Sequence, residues 1–465
     1  MFPTRDFSKQ TALALAITLA LTGCAITEAP DQQELAQQAL TNVTQPANWH
    51  FAKTAGDFDA ETLGFSLPPE LLELIKEAQV HNPDLRITAA RVAQAQAALT
   101  AAGASLLPMI GIGGQAGASP MPTASLSVDG LALVANWELD LWGKTRSGEA
   151  AAQANTLAAE LDALYARQSL AAGVVKAWLA AVEAQRQIAI SRSLLNFADQ
   201  QLALMQVGRK VGRNSEQDVV VNQLAVKNYR NQILQSEQAA NSAQRALELL
   251  LGRYPSAEIS VASNLPALPS PIPAGLPSDL VERRPDVRAA ENRFRAAFYR
   301  VEVAKKAKLP SISITGGLAL LDNELLELQE SLDNPVWGLT GSFLAPLFTN
   351  GALDADVEIK TQQQKESTIL YAKTMLDALN EVEGGLYTEQ KLSDRYALVQ
   401  AQVNDQQRIV DLERIQVNVG SSNQYQLYQQ QMSLASNQLA LLRLHNERLI
   451  QRVNLHLALG GVYPM

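Results

Sequence analysis

The chain has 465 residues and a formal net charge of −9, and only 5% of its residues are aromatic. The acidic balance argues against nucleic-acid binding, which requires clustered positive charge, and a single cysteine excludes an intrachain disulfide. Few aromatic residues beside abundant alanine are typical of long, closely packed helices rather than of a large mixed core.

The N-terminus has the pattern of a secretory signal. Arg5 and Lys9 precede the apolar run 11–21, which is too short to span a bilayer and suits the core of a signal peptide. The run ends in LTGC, which resembles a bacterial lipobox, so we expect residues 1–23 to be removed and Cys24 to be the lipid attachment site. The alternative is an unmodified cysteine near the cleavage site. Residues 24–68 would then form a lipidated N-terminal segment held at the outer membrane.

The remaining chain contains the same pattern twice. The segment NPDLR at 82–86 returns as RPDVR at 284–288, and Pro108 and Pro310 keep the same spacing of 202 residues. A matching register over this distance indicates a tandem duplication. We assign the repeats to 69–252 and 279–461, joined by a proline-rich linker at 253–278.

Each repeat is predicted to begin with a helix and a β-hairpin. Pro83 and Pro285 suit the first position of a helix, where their missing N–H is not needed. Beyond Pro108 and Pro310 the apolar residues recur with period two, as in strands. A change of apolar phase beside Gly130 predicts a β-bulge. The predicted strands cover about 108–118, 125–142, 310–320 and 335–347.

A long helix, a turn and a shorter helix complete each repeat. Proline is absent between 122 and 255 and between 346 and 464, as helix interiors require. Gly212 and Gly420 mark one break in each stretch. The first long helix, about 145–208, has apolar residues near heptad spacing, as in a coiled coil, and would be about 95 Å long.

The hairpins have the pattern of strands that face lipid. Ile312 and Ile314 fall on one face, and Ser313 and Thr315 on the other; this alternation is typical of transmembrane barrels. A half-buried soluble sheet is the alternative, which the lipobox and the very long helices disfavour. Four strands cannot close a barrel, and open edges cannot face lipid. Several chains must therefore combine; three would supply twelve strands, but the residues alone do not choose three over two or four.

Segments along the whole mature chain resemble the TolC-like outer-membrane efflux channels, within them the lipoprotein branch (NodT-type) that serves resistance-nodulation-division (RND) pumps. They are LLELIKEAQVHNPDLRITAARVAQAQAAL, WELDLWGKTRSGEAAAQA, LELLLGRYP, ERRPDVRAAENRF and LHLALGG. The resemblance implies a mainly α fold with a transmembrane β-barrel: a homotrimer with twelve strands in the outer membrane of a Gram-negative bacterium and an α-barrel in the periplasm. It further implies a passive duct for small molecules, connected through a periplasmic adaptor (membrane fusion) protein to an inner-membrane RND-type pump.

The same resemblance suggests which residues act at the periplasmic tips. Four residues of the two turns are expected to contact the adaptor: Gly212, Arg213, Gly420 and Ser421. Asp218 and Gln426, six residues after each turn glycine, are the candidate pore gate. The alternative for Asp218 is that it stabilises the first turn of its helix.

The tips also depart from the family pattern. The family often has an arginine–aromatic pair just before the turn glycine. This chain has Gly208 and Arg209 in one repeat and Gln416 and Val417 in the other. The bonding partners of the usual gate are therefore missing, and neither the adaptor nor the exported substrate can be derived from the sequence.

Enzymatic motifs are weak. Residues 111–116 fit the dinucleotide pattern G-x-G-x-x-A, but no helix follows. The four histidines are scattered, and we expect no metal site, no catalytic residues and no cofactor apart from the lipid on Cys24. The remaining alternative function is a periplasmic coiled-coil adaptor or scaffolding lipoprotein, which usually has one helical hairpin instead of two.

Overall fold

The computed structural model describes residues 27–40, 48–52, 59, 61, 63–115, 128–270, 273–275, 277, 283–323 and 336–463. These residues form two compact units. The first is drawn from segments 1–42, 90–161 and 288–373, and the second from 43–89, 162–287 and 374–465. Each unit thus contains parts of both repeats.

The predicted order of elements is confirmed. After a short helix α1 (Gln32–Ala39), the first repeat has α2 (Pro69–His81), α3 (Pro83–Ala104), β1 (Met109–Gln115), β2 (Val128–Leu139), α4 (Lys144–Lys210) and α5 (Glu216–Leu250). The second has α6 (Pro285–Lys306), β3 (Ser311–Asn323), β4 (Val336–Leu344), α7 (Ala352–Asn418) and α8 (Gln424–Ala458).

Equal helix lengths support the duplication. Both helices that precede a hairpin have 22 residues, both long helices have 67, and both final helices have 35. The second repeat therefore keeps the dimensions of the first, although most of its residues differ.

The first unit contains one antiparallel sheet in the order β1-β2-β3-β4. The central pair, β2 with β3, joins the hairpins of the two repeats through partners that run from Val128–Asn323 to Leu139–Ile312. The expected bulge at Gly130 is wrong. Gly130 pairs with Gln115 on one side and Leu321 on the other, and this continuous ladder leaves no place for an extra residue.

The strands end earlier than predicted on the side of the long helices. β2 ends at Leu139 because the carboxylate of Asp140 accepts the N–H groups of Thr145 and Arg146, at 2.9 Å each, and so begins α4. β4 ends at Leu344, two residues before Pro346, which has no N–H to donate. The predicted strand residues 116–118 and 125–127 lie outside the described residues.

The second unit is built around a buried tryptophan. Trp178 of α4 is 1% exposed. Its apolar cluster combines residues from four helices: Leu71 and Ile75 of α2, Val174 and Val182 of α4, Leu247 of α5, and Leu449 and Val453 of α8. Burial of each large aliphatic side chain contributes about 1.5–3 kcal/mol, so this cluster fixes α2 against the long helices.

In both repeats the residue before the proline of α3 or α6 donates a hydrogen bond to the last residue of the final helix. Asn82, just before α3, donates from Nδ2 to the carbonyl of Leu250 at 2.9 Å. Arg284, just before α6, donates from Nη1 to the carbonyl of Ala458 at 3.1 Å. Leu250 and Ala458 are equivalent positions near the ends of α5 and α8. Two different side chains therefore make the same connection between the beginning and the end of a repeat.

Arg284 also forms two ion pairs in the second unit. Its guanidinium, with a side chain 3% exposed, lies 2.7 Å from Asp286 and 2.6 Å from Glu381. Burial disfavours the charge, but the hydrogen bonds and attraction of the two carboxylates outweigh it, and the pKa of Arg284 is raised. The arginine thus remains charged at any physiological pH.

The proline-rich linker is fixed by side chains of the final helices. The carboxylate of Glu248 accepts the N–H groups of residues 257–259 at 2.7–3.1 Å. Arg452, buried on α8, donates to the carbonyl of Ser270 at 2.5 Å and to Glu389 at 2.7 Å. Charged groups on both α5 and α8 therefore hold the linker.

We expect Arg284→Met to lower the free energy of unfolding by about 3 kcal/mol. This is the low end for breaking a buried ion pair, because Glu381 is still half-exposed to water. Exposed Arg288 of the same helix is the control, and Arg288→Met should change stability by less than about 0.5 kcal/mol. Thermal unfolding in detergent measures both, and equal midpoints for the two variants would contradict the structural role of Arg284.

Candidate functional site

The sheet of the first unit has one apolar face. Cross-strand pairs such as Trp137–Ile314, Leu133–Leu318 and Ile312–Phe343 place large apolar side chains side by side. We call this set the apolar face: Ile110, Ile112, Leu133, Trp137, Leu139, Ile312, Ile314, Leu318, Trp337, Leu339 and Phe343. Ile112 and Trp337 are each 77% exposed, so the chain leaves much of this surface uncovered.

The opposite face consists mostly of polar or small residues, and its large apolar side chains include Met109, Val134 and Leu344. Ser313 and Ser342 are paired across β3 and β4, and their Oγ atoms are 2.6 Å apart. Thr315 pairs with Asn136 and with Thr340. This polarity is that of strands with lipid on one side and water on the other.

The sheet is open within the chain. β1 and β4 are its outer strands, so each presents one edge of backbone N–H and C=O groups without a ladder partner among the described strands. Such edges cannot remain unpaired in a bilayer, because lipid offers no hydrogen bonds. The sheet is therefore complete only beside further strands.

The second unit contains the two helical turns predicted as tips. Both have the same C-capping geometry. Gly212 and Gly420 each have φ +77, which residues with a Cβ rarely adopt. The N–H of Arg213 bonds to the carbonyl of Gly208 at 2.7 Å, and that of Ser421 to Gln416 at 2.9 Å, as in a Schellman motif. The glycines are thus explained by helix termination.

The first tip has a second glycine, Gly208, which lies against the side chain of Asn214. A Cβ on Gly208 would lie 1.8 Å from Oδ1 of Asn214, whose side chain folds back over it. Asn214 also donates from Nδ2 to the sulfur of Met205 at 3.2 Å. The departure from the family's arginine at position 208 therefore has a local reason: a side chain there would displace Asn214.

Asp218 lies at the third position of α5 and belongs to a capping box. The N–H of Asp218 bonds to Oγ of Ser215 at 3.1 Å, and Oδ2 of Asp218 accepts the N–H of Ser215 at 2.8 Å. The carboxylate of Asp218 accepts hydrogen bonds from the N–H of Ser215 and from its Oγ, the latter at 2.7 Å, and these two bonds lower the pKa of Asp218. The helix-start alternative is thus an observed role, and the exposed carboxylate is also available to the solvent beside the tip.

Gln426 takes the equivalent position at the second tip. Its N–H donates to Oδ1 of Asn423, the N-cap of α8, at 3.1 Å. The contacts that the structure gives to Asp218 and Gln426 all lie within their own tips. The chain by itself does not bring the two candidate gate residues together.

The tips also expose apolar side chains, which the sequence analysis missed. On the first tip Val207 and Val211 are 60% and 65% exposed, and on the second Ile415 and Val419 are 58% and 73% exposed. A signal was available, because each pair occupies the same positions relative to its turn glycine. Helix ends that expose such residues offer contact area for another protein.

The sequence analysis also predicts that the chain has no metal site. Among the described residues no group of three or more histidine, cysteine, aspartate or glutamate side chains is arranged to hold a metal ion. His445 and His456 instead lie against backbone carbonyls, of Pro266 at 2.8 Å and Val462 at 3.2 Å.

No helix in the described part of the chain has both the length and the apolar character to cross a membrane. Cys24 lies outside the described residues.

A two-faced open sheet together with paired long helices defines a subunit of a membrane channel. The chain belongs to the outer membrane efflux protein family, whose sequence model matches residues 74–253 and 276–461. It is thus an efflux channel protein of the outer membrane, and the adaptor alternative is not supported.

Known relatives are similar over most of their length. The pyoverdine export outer membrane protein OpmQ of Pseudomonas putida is 30% identical, covering 84% of this chain and 86% of its own. The cation efflux system protein CusC of Escherichia coli is 26% identical over 97% of this chain and 98% of its own. The crystal structure of the Neisseria gonorrhoeae MtrE outer membrane channel has a TM-score of 0.83 and 21% identity, covering 94% and 98%. This last likeness concerns the fold alone.

The apolar face gives a direct test of membrane insertion. We expect Ile314→Lys to destabilise the inserted sheet by about 2 to 4 kcal/mol if the residue lies near the middle of the bilayer. Ser313→Lys, one residue away on the polar face, should be tolerated. Urea unfolding in lipid vesicles compares the two, and equal stability of both variants would contradict a lipid-facing role for the apolar face.

Proposed function

We propose that three copies of this chain form a closed channel across the outer membrane, through which small molecules leave the cell. The open edges of the sheet carry this proposal. Four strands have unpaired edges at β1 and β4, and lipid cannot satisfy them. Three copies supply twelve strands, an allowed number for a transmembrane barrel.

The long helices support the same assembly. α4 and α7, each of 67 residues, carry exposed apolar residues along their length, including Leu157, Ile369 and Leu398 at 44%, 68% and 68%. Apolar surface of this extent favours burial against neighbouring chains. Helices from three chains would then form an α-barrel in the periplasm.

The channel is a passive duct that depends on partners for energy. A pore lets molecules move in either direction, so directed export requires an active pump elsewhere. We infer an inner-membrane RND-type pump and a periplasmic adaptor that docks at the tips, at Gly212, Arg213, Gly420 and Ser421. The exposed valines and Ile415 of the tips would supply the apolar part of this contact.

The names of the relatives do not point to one class of exported molecule. Relatives with similar chains are named for pyoverdine, for cations and for toluene, which share no chemistry. A common duct that serves such different molecules favours selection by the pump rather than by this chain. Seven methionines and four histidines give no support for a duct dedicated to metal ions.

The membrane anchor is proposed at Cys24. Radiolabelled palmitate should be incorporated into the full chain and not into Cys24→Ser. The mutant should still insert, because a lipid chain adds only marginal membrane binding to that of a barrel. Labelling of the serine variant would refute Cys24 as the attachment site, and loss of insertion would contradict an accessory role for the lipid.

Channel activity and the gate can be tested in one experiment. The purified protein should produce single-channel conductance in planar bilayers, as an adaptor or scaffold would not. Asp218→Asn removes the charge but keeps an oxygen that can accept the N–H of Ser215. A ring of three Asp218 carboxylates predicts that this variant has a reduced preference for cations and weaker block by divalent cations.

Ser215→Ala is the matched control, because it removes the N-cap and keeps the charge. It should lower thermal stability and leave ion selectivity unchanged. If Asp218→Asn has the selectivity of the wild type, Asp218 serves only the helix start and the gate lies elsewhere. A wild-type protein that gives no conductance would overturn the proposed function.

A further inference from the structure

A cavity of about 220 Å³ lies in the first unit at the end of the sheet from which the helices emerge. Its apolar lining includes Leu139, Leu141, Trp142 and Leu309. Its charged lining consists of two carboxylates and two lysines: Glu138, Asp140, Lys144 and Lys306. Apolar side chains beside a few charged groups suit one part of an amphipathic molecule.

Lys306 is the charge of this cavity that lacks a counter-ion. Its Nζ donates to Oγ of Ser147 at 2.8 Å and to the carbonyl of Gly143 at 3.4 Å, both neutral oxygens. Within the described residues no carboxylate oxygen lies within 4.0 Å of it. A half-buried cation with only neutral partners attracts an anion more strongly than one in a salt bridge, because its charge is not compensated.

The neighbouring charges are already paired. Lys144 lies 2.6 Å from Glu138, Lys305 lies 2.9 Å from Glu302, and Lys308 lies 2.5 Å from Asp354. Asp140, which also lines the cavity, accepts hydrogen bonds from Arg146. The cavity therefore has one cation available for a ligand.

The cavity meets the apolar face of the sheet at Leu139, the last residue of β2. Glu138, Ser311 and Leu344, which also line the cavity, belong to the opposite face. Trp142 donates from its indole N–H to the carbonyl of Pro310 at 2.6 Å, just where β3 begins. Tryptophan and lysine are the residues that mark the level of lipid headgroups, so the inserted sheet would hold the cavity at that level.

We propose that this cavity binds a glycerophospholipid, with its phosphate on Lys306 and its acyl chains along Leu139 and the apolar face. Charge complementarity and continuity with the lipid-facing surface favour this occupant over a soluble one. The first repeat has Gly103, Ala104 and Leu106 at the positions equivalent to Lys305, Lys306 and Lys308. The site therefore occurs once in each chain. This inference rests on the proposed insertion of the sheet in a membrane.

Native mass spectrometry of the full, detergent-purified protein tests the site with two probes. Phosphatidylglycerol should remain bound, and diacylglycerol with the same acyl chains but no phosphate should not. Lys306→Gln should weaken phosphatidylglycerol binding about fivefold, the effect of one basic residue at a lipid surface. Lys306→Arg should restore it, and Lys305→Gln, whose lysine is paired with Glu302, should bind as the wild type does.

Equal binding by Lys306→Gln and the wild type would overturn the proposal, and so would equal retention of the two lipids. Displacement of the lipid by millimolar inorganic phosphate would identify a site for a free anion instead. If Lys306→Gln does not assemble, the comparison of the two lipids on the wild type still decides. Conductance of Lys306→Gln should be unchanged, so a failure of this site is distinguishable from a failure of the channel itself.

Discussion

Unpaired backbone groups at the two edges of one small sheet constrain the rest of this molecule. A bilayer cannot bond to the free N–H and C=O groups of β1 and β4, and four strands are too few to curve back on themselves. The chain therefore needs further strands to form a closed barrel in a membrane. In the proposed assembly the exposed apolar residues of the long helices would be covered by neighbouring copies, and those of the sheet would face lipid.

The two repeats provide the helices and strands on which this assembly depends. Their helix lengths and capping geometry are more alike than their side chains. The three pairs of equivalent helices compared above have equal lengths. In both repeats the long helix ends at a glycine with the same capping geometry. Yet the contact between the start and end of a repeat uses an amide at Asn82 and a guanidinium at Arg284. A backbone carbonyl accepts from either group, so the position of the donor matters more than its type.

The two repeats differ in charge at one helical turn and at the end of the helix that precedes the hairpin. Asp218 at one tip has a neutral counterpart in Gln426, and the lysines at 305, 306 and 308 have no counterpart in the first repeat. Polar positions at turns and strand ends are free to change, and a partner or a lipid meets the protein there.

The sequence by itself determined the elements, because each has a local cause. Proline placement, glycine at the turns and the change from helical to period-two spacing predicted the helices and strands from Pro83 onward, whereas α1 and the separate helix α2 were not predicted. Only the tertiary structure decided the rest. Several contacts join residues that no periodic pattern in the sequence relates to each other. They are the pairing of β2 with β3, the continuous ladder at Gly130, the ion pairs of Arg284 and the contact of Asn214 with Gly208. The same holds for Lys306: three lysines near Pro310 look alike in the sequence, and only the positions of the carboxylates around them distinguish the one without a counter-ion.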